Sequence, residues 1–368
     1  MNMDDARLRP AHADARPAHA DAAGADSRRP VLGTPFHRMP TLREPWSAWA
    51  KPLLSVFAAV ASYVIMASAL LVGVVLLLAL VPGVNIALGV TSGDPASPLD
   101  VGLALAMGAL WLPAGMIGVR VGGWRPVGTA VSIAARVRRM KASDPAVLAV
   151  ALGGPAVVAV AAIAGALAPV EAGAPAAPGP SFGTLLALLL VTLVLAPLQV
   201  VGLELTMRGL VMQALGTWLR TPVIPILAVA AVVLIGRELS LAVLIPAVTL
   251  AACAGVLAWK SGGIELPVLL TLTVTVVGIL TAALTAGTGI GSGTSAMVAA
   301  AAAPGSSNAA LADGTHASAA LAGGVAGAIA LVAVTAVACV LISRQERLAL
   351  VQPVVRAADE PLPPLVAV

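Results

Sequence analysis

An all-α, polytopic membrane helical bundle is the fold class this sequence predicts, and three observations predict it. The 368 residues are 59% hydrophobic and only 10% charged, with a mean hydropathy of +0.99. Soluble domains run to about 45–50% apolar and about 25% charged. The apolar residues gather into runs near the ~20 residues that a helix needs to cross a bilayer. Lys and Arg collect in alternate loops between those runs. Aromatics are 3% of the chain, so Ala, Val, Leu and Gly build the interior, and small residues let membrane helices approach closely.

In chain order, residues 1–45 are rich in Ala, Pro, Asp and Arg without apolar periodicity and read as a disordered cytoplasmic tail. Inside it the unit RPAHADA occurs at 9–15 and again at 16–22, bringing the pairs His12/Asp14 and His19/Asp21. Low complexity explains the repeat better than metal capture does. The apolar run that follows is longer than the core of a secretory signal. Residues 46–343 are predicted to form the bundle, with about eight spans at 52–81, 99–121, 146–170, 182–203 continuing to 219, 222–236, 240–259, 264–286 and 321–343. The fifth is short and reads as tilted, partly buried or re-entrant. The Gly/Ala/Ser/Thr-rich stretch 287–320 reads as a flexible outer loop. Residues 344–368 read as a cytoplasmic C-terminal tail.

Charge sets the orientation. The loop 120–145 carries Arg120, Arg125, Arg136, Arg138, Arg139 and Lys141; Arg220 follows the fourth span, Lys260 the sixth, and Arg344, Arg347 and Arg356 follow the last. The stretches 82–98, 171–181 and 287–320 have no Lys or Arg. The positive-inside rule then puts both termini in the cytoplasm of a multi-pass protein of the cell membrane. Trp46, Trp49, Trp124, Trp218 and Trp259 fall at the same interface, as an aromatic belt would. Arg237 is the exception, placed near the outer face with Glu238 beside it. The formal charge of +4 is spent at helix ends, so nucleic acid is not the expected partner; membrane lipids are.

Several chemistries are excluded. The four histidines, His12, His19, His37 and His316, all lie outside the spans, and no His/Cys/Asp/Glu group has metal-ligand spacing. Cys253 and Cys339 sit in separate apolar runs and read as small buried hydrophobes. No phosphate-binding loop occurs, and no cofactor or metal is expected.

One stretch carries chemistry: 196–218, APLQVVGLELTMRGLVMQALGTW. Glu204 and Arg208 stand four residues apart, on one face of a helix and in the favourable acid-first order. An ion at membrane depth costs about 2.5–3.5 kcal/mol even on lenient scales, so such a pair must face protein or a polar cavity.

This stretch resembles the first motif of the CPBP family, also called Abi or type II CAAX-processing intramembrane endopeptidases. The family motif is two adjacent Glu, three residues, then Arg, usually followed by Gly. Glu204, Arg208 and Gly209 match it, and Leu203 stands at the first Glu position, which in the family activates water. The segment 257–267, LAWKSGGIELP, resembles the entry to the third motif, whose His and Asn positions hold Thr271 and Thr275 here. The second motif's His falls near Gly236 or Arg237. The basic segment 120–139 is similar to the loop after the second helix of bacterial members. The resemblance covers about residues 50–285, with its core at about 100–285, and extends to the last span. It implies Glu204 and Arg208 as the catalytic positions, with Leu203, Arg237, Thr271 and Thr275 as degenerate ones.

Amide hydrolysis needs a base for water and donors for the oxyanion. A carboxylate already paired with a guanidinium is a poor base, and threonine cannot accept a proton at neutral pH as histidine can. The expectation is a catalytically degenerate family member that acts by binding other membrane proteins. The alternatives are an active CAAX-type endopeptidase using Glu204 on a prenylated or peptide substrate, and a small transporter component with a cavity lined by Glu204, Arg208, Thr271 and Thr275. The protease-type readings require Glu204, Gly236 or Arg237, and Thr271 to surround one cavity.

Overall fold

The structure, a computed structural model, describes residues 33–81, 94–169, 179–237, 239–286, 288–303 and 317–363. Among them the chain is mostly helical, with one two-stranded ribbon. Among the described residues seven helices are long and apolar enough to cross a membrane, the architecture of a multi-pass membrane protein.

Strand β1 (Gly33–Pro35) leads into a 3-10 turn (Phe36–Leu42), the short α1 (Glu44–Ser47) and the first long helix, α2 (Ala50–Ala79). The second long helix, Pro98–Gly122, is built from α3 (Pro98–Ala109), α4 (Trp111–Ile117) and a π-helical stretch, Gly118–Gly122. After α5 (Gly128–Val131) come α6 (Pro145–Leu167) and α7 (Phe182–Glu204). α7 runs on without a break through a second π-helical stretch, Leu205–Met212, into α8 (Gln213–Gly216). The remaining helices are α9 (Val223–Val232), α10 (Leu241–Ser261), α11 (Glu265–Leu284), α12 (Gly289–Ala301) and α13 (Ala317–Gln345), followed by β2 (Val355–Ala357).

Local chemistry fixes the helix ends. Ser97, Asp144, Ser181 and Thr288 precede α3, α6, α7 and α12, and each side chain accepts from a first-turn N–H that would otherwise be unpaired. Pro98 and Pro145 open their helices, where a missing N–H costs nothing. α10 stops at Gly262, whose φ of +75° is the left-handed conformation glycine adopts without strain.

β1 pairs antiparallel with β2, Thr34 opposite Arg356. Both ends of the described chain therefore meet at one end of the bundle, termed here the near end. The turn after α8 lies there too, because His37 Nε2 contacts the Arg220 carbonyl at 3.2 Å. The opposite, far end is marked by Ser318 at the start of α13, which donates to the Pro169 carbonyl after α6 at 2.8 Å. Ala242, at the start of α10, is also at the far end, since its carbonyl packs against Gly324 of α13. The chain thus passes from the near end at Arg220 to the far end at Ala242 with only the ten-residue α9 in between.

The structure corrects three expectations. The tail 1–45 is ordered over 33–45, where Phe36, His37 and Met39 are fully enclosed. The C-terminal tail folds back as a strap: the buried Lys260 ammonium donates to the carbonyls of Ala349, Leu350 and Gln352 at 2.6–3.0 Å. Arg356 of the strap is buried and donates to the Ile133 carbonyl. The stretch 287–320 contains α12, which enters the bundle from the far end and stops inside it. Gly293 of α12 and Gly323 of α13 approach so closely that a Cβ at 323 would lie 2.4 Å from the Gly293 Cα. At the other end of α12, the Ala301 carbonyl accepts from Gln199, midway along the α7–α8 helix.

Candidate functional site

Glu204 is the last residue of α7 and Arg208 lies within the π-helical stretch Leu205–Met212. π-helical turns are rare and recur at functional positions, because the widened turn frees backbone groups and re-aims side chains. Here Thr206 donates to the Trp111 carbonyl at 3.0 Å, joining the stretch to α4. Arg125, from the segment after the second long helix, donates to the Gly209 carbonyl at 3.2 Å. Its guanidinium also donates to Gln213 Oε1, and burial holds it down at about 9.

The pair itself is closed off. Glu204 is 0% and Arg208 2% exposed, and Arg208 Nη1 stands 3.3 Å from Glu204 Oε2. Thr271 of α11 donates to Glu204 Oε1 at 2.9 Å. Arg208 Nη2 donates to the Ala251 carbonyl of α10 at 3.0 Å. One carboxylate and one guanidinium therefore hold α7, α10 and α11 together. Glu204 Oε2 has only the ionic contact, and Arg208 Nε is buried without an acceptor.

The sequence-expected residues divide into two groups. Glu204, Arg208 and Thr271 come together. Thr275 lies one turn along α11, and its hydroxyl donates to the Thr271 carbonyl at 2.7 Å. Leu203, at the first acidic position of the motif, is buried in an apolar cluster with Met207, Val229 and Ala303. Arg237 does not reach toward Glu204; it serves α12. Its guanidinium donates to the carbonyls of Ala299, Ala300 (3.2 Å) and Ala302 (2.6 Å), and to Val233 of its own turn (2.7 Å). It thus caps the C-terminal end of a half-helix, where the dipole is negative. Glu238, expected beside it, lies outside the described residues.

Sequence reading missed Arg125, Gln199, Gln213 and Lys260 as buried polar groups. Lys260 left one signal, a lysine ending an apolar helix directly before two glycines. Among the described residues, no group of three or more His, Cys, Asp or Glu side chains could hold a metal ion.

Fold and site together define a class: a polytopic helical membrane protein with an acid–guanidinium pair sealed in its interior. No family model matches the chain, and neither does any curated protein or solved structure.

Proposed function

We propose that the protein is a CPBP-like, catalytically degenerate member of the CAAX-endopeptidase type, resident in the cell membrane and acting by binding other membrane proteins. Eight crossings, with α9 as the short one, and both termini in the cytoplasm complete this reading. The near end carries Arg136, Arg138, Arg139, Lys141 and Arg344, which supports its assignment to the cytoplasmic side.

One observation carries the reading: both Glu204 oxygens are engaged, one by Thr271 and one by Arg208, at a carboxylate sealed from solvent. A carboxylate paired with a guanidinium and enclosed by protein is a poor base for an attacking water. The test is cleavage of a prenylated CAAX peptide by the protein reconstituted in liposomes, with Glu204→Gln alongside. The expected result is no cleavage above the variant's background. Glu204-dependent cleavage would establish the active endopeptidase instead.

A second reading, a small transporter component, is favoured by α12 alone. Half-helices that end inside a bundle recur where a polar path is built. Solute flux in the same liposomes that changes with Arg237→Leu would favour it.

A further inference from the structure

α9 comes from the near end and α12 from the far end, and one side chain meets the C-terminal ends of both. Arg237 donates to the carbonyl of Val233, which ends α9, and to those of Ala299, Ala300 and Ala302, which end α12. Gln199 of α7 takes the Ala301 carbonyl at 3.4 Å. A helix leaves its last four carbonyls without partners of its own. In α12 side chains take all of them, from Ala299 to Ala302.

Where α12 stands relative to Glu204 is fixed by α7, α10 and α11, the same helices that Glu204 and Arg208 tie together. α7 runs toward the near end, and Gln199 precedes Glu204 on it by about 7.5 Å. α10 starts at the far end. Its Ala247 and Leu250 precede Ala251, the acceptor of Arg208, and share an apolar cluster with Ala300 and Ala301 of α12. α11 runs toward the far end, and Gly278 lies about 10 Å beyond Thr271 on it. A Cβ at Gly278 would come within 2.8 Å of the Val298 side chain of α12. Along each of these helices α12 lies between the ion pair and the far end.

α12 is also made to move as a unit. Its large apolar side chains are Ile290, Met297 and Val298 alone, so little apolar area holds it in place. The hydroxyls of Ser292 and Thr294 donate to carbonyls of its own helix or its cap, and would travel with it. We infer that α12 is a gate: a stopper, latched by Arg237, that closes the Glu204–Arg208 site toward the far end and admits water and small solutes when it withdraws. The gate goes beyond the function proposed above. It holds whether or not Glu204 catalyses, so the cleavage assay does not decide it.

The test is thiol labelling of the full chain in sealed liposomes with a membrane-impermeant maleimide, read by peptide mass spectrometry. Thr275→Cys is the reporter, because Thr275 is 2% exposed and lies on α11 between Thr271 and Gly278. Native Cys339, 8% exposed in α13, is the control within the same molecule. Met140→Cys, exposed at the near end, shows which molecules turn that end to the reagent. With Arg237 in place, the reporter should already react faster than Cys339, since a gate opens in the native chain. Arg237→Leu should speed the reporter at least about tenfold and Gln199→Leu by a smaller factor, while Cys339 keeps its rate. The reaction should come from the far-end side. A reporter as inert as Cys339 with Arg237 in place would make α12 a fixed part of the bundle and overturn the gate. So would a rate untouched by both substitutions, an equal rise at Cys339, or labelling from the near end.

Discussion

Arg208 and Arg237 are both guanidinium groups held inside the same bundle, and they are neutralised in opposite ways. Arg208 has a carboxylate four residues earlier in its own helix. Arg237 has no acid among the described residues; its partners are main-chain carbonyls, that of Val233 in its own turn and three more than sixty positions along the chain, at the end of α12. The first solution is a pair of formal charges, each of which is stranded if the other is removed. The second spreads one charge over the partial charges of a helix terminus. The two should therefore fail differently.

The largest effect is expected at the acid. Glu204→Leu leaves Arg208 buried and unpaired and should cost about 3–5 kcal/mol, read from unfolding titrations in mixed micelles. Adding Arg208→Leu should restore most of that loss, because removing a buried pair together is far less costly than breaking it. A double variant as unstable as the single would mean that the pair holds something beyond its own charges. Next comes Arg237→Leu, expected at about 2–3 kcal/mol from lost charge-assisted hydrogen bonds. No second substitution of an acid should rescue it, while Arg237→Lys should keep part of the stability. Faster hydrogen exchange in the Arg237→Leu variant should be confined to α12 and the end of α9. Exchange that spreads to α7 would show that the two guanidinium sites are coupled after all.

A smaller loss, about 1–2 kcal/mol, is expected for Thr271→Val, which takes a donor from Glu204 Oε1. Thr275→Val removes only a bond to its own helix and should cost less than Thr271→Val in the same titrations. The smallest effect lies outside the spans, at His37. Burial holds its imidazole below the usual 6.5 more strongly than the Arg220 carbonyl raises it, and Arg38 lowers it further. The folded state thus prefers the neutral ring, so its contribution is complete above about 6.5 and declines as pH falls below that value. Melting temperatures from pH 7.5 to 5.5 should slope for the native chain and flatten in His37→Gln.

The contrast between the two arginines also explains what could be read from the sequence. Seven long helices were legible to within a few residues, because an apolar run of membrane length has few other solutions. The contact of Glu204 with Arg208 was legible because both lie on one helix turn. Thr271 was legible only through a motif position, since nothing local links it to a residue 67 positions earlier. The partners of Arg237 were not legible, because carbonyls carry no sequence signature. α12 itself was hidden by composition: GIGSGTSAMVAAA reads as a linker, yet its small residues are what let it pack closely on α13. The strap was hidden for a similar reason, its anchor being a lysine bound only to main-chain oxygens.

The β1–β2 ribbon has a consequence for biogenesis. Gly33–Pro35 emerges from the ribosome long before its mate, Val355–Ala357. At about 5–20 residues per second, the first strand waits on the order of half a minute for the second. The clasp can close only after the helices between its strands have been made, so it acts as a seal on that bundle rather than as a seed for folding.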